Sequence, residues 1–179
     1  MNYNITYGDV VGDSEVVTVE MAKANSNIFG ADALADELYE LLLDAAIEDA
    51  ENYIGTSILK RQVSITLSEW QEVFELPIYP VQSITSIQYV DAAGATQTVS
   101  ATDYLFFENV STNKVKFIWD DQPETQEGNE FPITITCTAG YDNDNMPAAI
   151  KSAVLLRFSH KERFREDVAM TTSYQRGIQ

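Results

Sequence analysis

Two periodicities divide this chain. From Ala31 to Gly55, ADALADELYELLLDAAIEDAENYIG sets Leu34, Leu38, Leu41, Leu42, Ala45 and Tyr53 near one face at helical spacing. Asp36, Glu37, Glu40, Asp44, Glu48 and Glu51 fall largely elsewhere, which predicts a long helix with a solvated acidic face, closed by Gly55 in a left-handed cap. From Lys60 the period drops to two. Val63, Ile65 and Leu67 alternate with Ser64, Thr66 and Ser68, the pattern of a half-buried strand. Pro77 and Pro80 set off a second strand around 83–90, and Asp91-Ala-Ala-Gly94 reads as a hairpin turn from which 96–99 returns. Residues 104–107 and 114–119 form a further pair, 120–128 a polar loop, and 131–138 the last strand.

The flanks carry less pattern. Residues 1–17 have no clear period and read as a flexible arm or an edge segment. Thr18 offers an N-cap hydroxyl for a short helix over 19–23, which the stretch Asn25-Ser-Asn-Ile-Phe-Gly30 breaks. After the loop 140–147, Pro147 suits the first turn of a final helix running to about Glu166, with Ile150, Ala153, Val154 and Phe158 on one face. Helices, then a block of strands, then a helix exclude a βαβ repeat. The order predicts an α+β fold: a helical core formed by N- and C-terminal helices with an inserted antiparallel β lobe. The expected divisions are an arm at 1–17, core helices at 18–59, the lobe at 60–138, the C-terminal core helix at 139–166 and a tail at 167–179.

At 179 residues the chain is long enough to bury a core without metal or disulfide. Its single cysteine, Cys137, lies in the alternating run Ile133-Thr-Ile-Thr-Cys137 and reads as a small buried hydrophobe. No apolar run reaches the ~18 residues that span a membrane, and the N-terminus lacks the basic start and apolar centre of a secretory signal. Charge changes the picture more. The net charge is −17, yet residues 1–150 hold 25 acidic and 5 basic side chains, whereas 151–179 hold 3 acidic and 6 basic. An acidic body of this kind repels phosphate backbones and argues against sequence-reading DNA binding. The basic end gathers the only histidine, His160, with five of the eleven Lys and Arg side chains in 151–165. Some of these complement a helix C-terminus, and the remainder suit an acidic partner surface.

Motifs for chemistry are absent. There is no glycine-rich phosphate loop, nucleophile elbow, C-x-x-C or H-E-x-x-H. The run Asp142-Asn-Asp-Asn145 opens like a calcium loop but fails at Met146, at Pro147 in the glycine position, and at Ala153 in the place of the terminal glutamate. A histidine mechanism would rest on His160 alone, and Glu162 lies on a different helix face from it. The expectation is a protein without catalysis, cofactor or metal.

The order of several short motifs resembles a known family. Thr18-Val-Glu-Met-Ala-Lys23 precedes a helix closing on Glu51-Asn-Tyr-Ile-Gly55. A strand block carries Leu76-Pro-Ile-Tyr-Pro-Val-Gln-Ser-Ile84 and Tyr89-Val-Asp-Ala-Ala-Gly94. Then come Ala139-Gly-Tyr141, Met146-Pro-Ala-Ala-Ile150 and a last helix ending in His160-x-Glu162-Arg163. Across roughly 18–165 this resembles the head–tail connector, or adaptor, proteins of long-tailed bacteriophages and phage-like gene-transfer particles. The resemblance implies a structural virion protein made in the host cytoplasm and located at the head–tail junction. Copies, typically twelve, would form a ring beneath the portal protein. That ring would extend the DNA channel without reading sequence and give a tail-side stopper or neck protein its docking surface. The end of the last helix and the tail would reach toward the portal, which makes Lys151, Arg157, Lys161, Arg163, Phe164, Arg165, Tyr174 and Arg176 the candidate partner interface, docking either to the portal or to a neighbouring subunit, with His160 packing that helix. The alternative is a β-lobe module binding carbohydrate or a host surface through Tyr79, Tyr89, Tyr104, Phe106, Phe107 and Trp119.

Overall fold

The computed structural model describes residues 2–12, 15–30, 33–108, 112–119 and 121–164. Its fold is α+β, a layer of helices beside two antiparallel sheets. Alternation builds the sheets as the sequence predicts. In β2 (Arg61–Leu67), Val63, Ile65 and Leu67 are fully buried. β8 (Ile133–Ala139) buries Ile133, Ile135 and Cys137 in the same way. β8 lies between β2 and β4 (Val81–Val90), and the hairpin at Asp91 returns as β5 (Thr96–Thr98). The five-stranded sheet is completed by β1 (Tyr3–Val10), paired antiparallel to β2, in the order β1-β2-β8-β4-β5.

A second sheet, in the order β3-β7-β6, joins β3 (Val73–Leu76), β7 (Asn113–Phe117) and β6 (Tyr104–Phe107). Side chains from β2, β4 and β8 meet Phe74, Leu76, Val115 and Phe117 of the small sheet in one core. Trp70 lies edge-on to Phe117 and Trp119, at 5.1 and 4.7 Å between centroids. The lobe is therefore a two-sheet sandwich. The Cys137 thiol donates to the Val63 carbonyl at 3.6 Å, and burial pushes its pKa up to about 12.

Two points about the lobe differ from the expected divisions. Of the two alternatives for residues 1–17, the edge segment holds and the flexible arm does not over 3–10, so the lobe is not a simple insertion between helices. β1 shows no period because only Ile5 turns even partly inward, while its neighbours stay exposed. β3 adds a strand that the sequence pattern does not show, because four residues beside Pro77 carry too little alternation to stand out.

The helical layer has a separate core. Thr18 caps α1 (Val19–Asn25), its hydroxyl accepting from the Met21 amide at 3.2 Å. α2 (Ala33–Ile54) and α3 (Ala148–Arg163) pack on it and on each other. The buried side of α2 is Leu43, Ala46 and Ile47, flanked by Tyr39, Leu42 and Ala50. This differs from the expected face: Leu38, Leu41 and Tyr53 are exposed, and the Leu34 side chain lies outside those described. With apolar residues at so many α2 positions, period alone cannot choose which stripe turns inward. On α3, Val154 and Phe158 are fully buried as predicted, with Leu155 beside them and Ala153 exposed.

One carboxylate ties the two halves together. Glu51, near the end of α2, accepts from the Ile58 and Leu59 amides and the Ser57 hydroxyl through Oε1, and from Arg61 through Oε2 at 3.2 Å. Gly140 ends β8 at the same place with φ 96°. A Cβ there would stand 2.2 Å from the Leu59 carbonyl oxygen, so only glycine lets the chains cross. The Tyr141 amide then donates to the Ile58 carbonyl at 2.8 Å. The route from sandwich to α3 is thereby set against the end of α2.

Candidate functional site

α3 follows Pro147, which occupies the N-cap in extended backbone instead of the first helical turn, with no side-chain capping bond. Its last turn carries His160, Lys161 and Arg163, the arrangement a helix C-terminus favours. The inward side is held by Phe158 against Tyr39, ring centroids 6.2 Å apart. Hydroxyl contacts from α1 add to it: Asn25 Nδ2 donates to Ser159 Oγ at 2.9 Å, and Ser26 Oγ lies 2.8 Å from the same oxygen.

The basic residues separate into two groups. Arg157 Nη1 and Lys161 Nζ both turn to Asp49 Oδ2 of α2, at 3.7 and 2.9 Å. The hydrogen bond from Lys161, together with the nearby Lys161 and Arg157 charges, holds the Asp49 carboxyl below the usual carboxylate range. These two cations therefore fasten α3 to its own long helix. Arg163 and Phe164 instead stand at the outer end. The Arg163 guanidinium lies 5.9 Å over the Phe164 ring, and His160 tilts against the same ring at 4.9 Å. Lys151, near the start of α3, lines an open hollow of about 320 Å³ with Asn25, Leu155 and Leu156. Arg165, Tyr174, Arg176 and the tail 167–179 lie outside the described residues, as does the expected end of the helix at Glu166.

Two residues of this surface were not anticipated. Leu156 projects from the middle of α3 and is 73% exposed, with His160 and Arg163 following on the outer face. It stands two residues from both Val154 and Phe158, and that offset from the buried stripe was the available signal. Asp49 carried none, because the sequence does not say which of the carboxylates on α2 meets α3.

The structure gives little support to the chemical alternatives. His160 is exposed and its ring contact is Phe164. In the 142–145 loop, Asp142 Oδ1 accepts from the Asn145 amide and Asn143 Oδ1 from the Glu15 amide at 2.7 Å. Among the described residues no three His, Cys, Asp or Glu side chains are grouped to hold a metal ion, and no helix is long and apolar enough to cross a membrane. The aromatic residues considered for ligand stacking do not share a surface. Tyr89, Tyr104, Phe106 and Trp119 pack against the sandwich core, Trp119 stacking on Phe117 at 4.6 Å, whereas Phe107 points outward.

Comparison with known proteins places the fold. No family model and no curated protein matches the chain. Solved structures do. A chain in the virion of a native gene transfer agent (GTA) particle is 22% identical with a TM-score of 0.72, over 97% of this chain and 90% of that one. A chain in the neck of an empty GTA particle, computed with C6 symmetry, is 22% identical with a TM-score of 0.73, over 96% and 88%. One in the neck of a native GTA particle, computed with C12 symmetry, is 21% identical with a TM-score of 0.67, over 94% and 89%. The chain thus has, over nearly its whole length, the fold of these neck and virion chains.

Proposed function

We propose that this protein is a structural component of a phage-like virion: a head–tail adaptor whose copies form a ring beneath the portal. The observation that carries the reading is the near-complete overlap, in both directions, with chains from GTA necks. The necks of those particles, computed with C6 and C12 symmetry, are compatible with a ring of twelve copies here. The charge supports the same role. A net charge of −17 gives a channel wall from which a DNA duplex is repelled and along which it can slide, instead of one that binds phosphate. The protein acts without catalysis or cofactor, the ring prolongs the DNA channel, and its far side receives a stopper or neck protein.

Within this reading the outer face and end of α3 meet the portal. Leu156, Arg163 and Phe164 are presented there, Lys151 stands at the helix start, and Arg165, Tyr174 and Arg176 complete the proposed interface. Arg157 and Lys161 hold the helix in place from behind. The test is to mix the purified chain with its portal and follow mass and electron-microscopy class averages. A ring stacked coaxially on the portal is expected, weakened when Arg163 and Arg165 are both changed to Glu. A chain that stays monomeric and ignores the portal would overturn the adaptor role.

A further inference from the structure

A ring of identical subunits joins one patch of each copy to a different patch of the next. Two exposed surfaces of this chain complement each other in that way. The first is the outer face of the small sheet. Its register aligns Val73, Lys116 and Leu105 in one row and Glu75, Lys114 and Phe107 in the next, with Phe74, Leu76 and Val115 on the opposite, buried side. An outward sheet face is ordinarily polar. Here Val73, Leu105, Phe107 and Ile118, which continues the alternation past β7, are 45–49% exposed. Lys114 and Lys116 are also the only Lys or Arg between Arg61 and Lys151. Among the described residues both pair with exposed carboxylates of their own sheet edge, Glu75 and Glu72, at 3.5 and 3.4 Å. Exposed pairs of that kind are worth about 0–1 kcal/mol and exchange readily.

The second surface is the outer stripe of α2. Glu37, Leu41, Asp44 and Glu48 follow one another at i, i+4, i+7 and i+11, with Glu40 alongside, all exposed and Leu41 by 64%. It is an apolar centre set among carboxylates, opposite the stripe that packs on the helical core. The sheet face is apolar with two lysines held in weak pairs with Glu75 and Glu72; the helix face is apolar with four acids. We infer that the two are the halves of the contact between neighbouring copies, the α2 stripe of one subunit lying on the β3-β7-β6 face of the next. This rests on the ring reading above and leaves α3 free for a different partner.

Cysteine cross-linking in assembled particles tests it. Cys137 is buried with a raised pKa and stays silent, so introduced thiols report alone. Particles carrying Leu41→Cys together with Leu105→Cys should give a ladder of covalent multimers on oxidation, and neither single variant should. As a second measurement, Lys114→Glu with Lys116→Glu should lower ring yield at least ~10-fold, and Glu40→Lys with Asp44→Lys in the same chain should restore it. Particles whose micrographs show the ring but whose double-cysteine variant gives no ladder, or whose lysine reversals assemble normally, would overturn this interface and leave the ring intact. Particles in which the chain forms no ring would overturn the ring reading and this interface together.

Discussion

The sandwich and the helical layer solve burial differently. Across the sandwich the two sheets close on a continuous apolar core in which β2 and β8 alternate without exception and β4 is interrupted by two register shifts. The helical layer has a smaller core, and each of its two long helices carries a second, outward side with large apolar residues: Leu38, Leu41 and Tyr53 on α2, Leu156 on α3. A helix apolar on more sides than its own subunit covers is shaped for further contacts. The difference separates a scaffold that closes on its own core from a layer whose long helices leave large apolar residues uncovered. The small sheet's outer face shares the helices' character, as does edge strand β1 with Tyr3, Tyr7 and Val10 exposed.

The largest expected effect comes from breaking the helical core. Phe158→Ala removes a fully buried ring that faces Tyr39 and should cost ~3–5 kcal/mol. Both tryptophans belong to the sandwich, so their fluorescence follows one half while far-ultraviolet dichroism follows mainly the helices. Denaturant unfolding should show the dichroism transition moving ahead of the fluorescence transition. Coincident transitions would instead make the halves one cooperative unit.

Glu51→Ala attacks the join between the halves. It strands the Ile58 and Leu59 amides and takes the carboxylate from Arg61, while Ser57 keeps the Leu59 carbonyl and Arg61 keeps the Ser57 hydroxyl, and should cost about 3 kcal/mol. Hydrogen exchange should rise first at the Ile58 and Leu59 amides. Protection there equal to that of the parent would show that the carboxylate is dispensable.

The smallest effect sharpens the comparison on the charged side. Asp49→Asn loosens the exposed tie to Lys161 and Arg157 and should lower stability by no more than about 0.5 kcal/mol at neutral pH. Because the folded carboxyl titrates below its ordinary value, its contribution is present above that value and is lost as pH falls through the lower, folded one. The Asn variant should lack that part of the acid sensitivity, which stability curves at neutral and acid pH would reveal.

Much of this was legible in the chain. Strands β2, β4 and β8, the Asp91 hairpin, the Thr18 cap and the Val154/Phe158 stripe all follow from local periods or caps, in which each residue's environment depends on neighbours a few positions away. β1 was legible only as one of two alternatives, arm or edge segment, because an edge strand with one inward residue has no period to display. Nor was the orientation of α2: a helix with apolar residues around most of its circumference meets its core on the side that α1 and α3 happen to occupy. The candidate interface divided along the same line. Composition alone located the basic cluster on the last helix. Only packing decided that Arg157 and Lys161 face Asp49 while Leu156, Arg163 and Phe164 face outward, because a charge is spent or left free according to what stands within a few ångströms of it, and that distance is set by the whole fold.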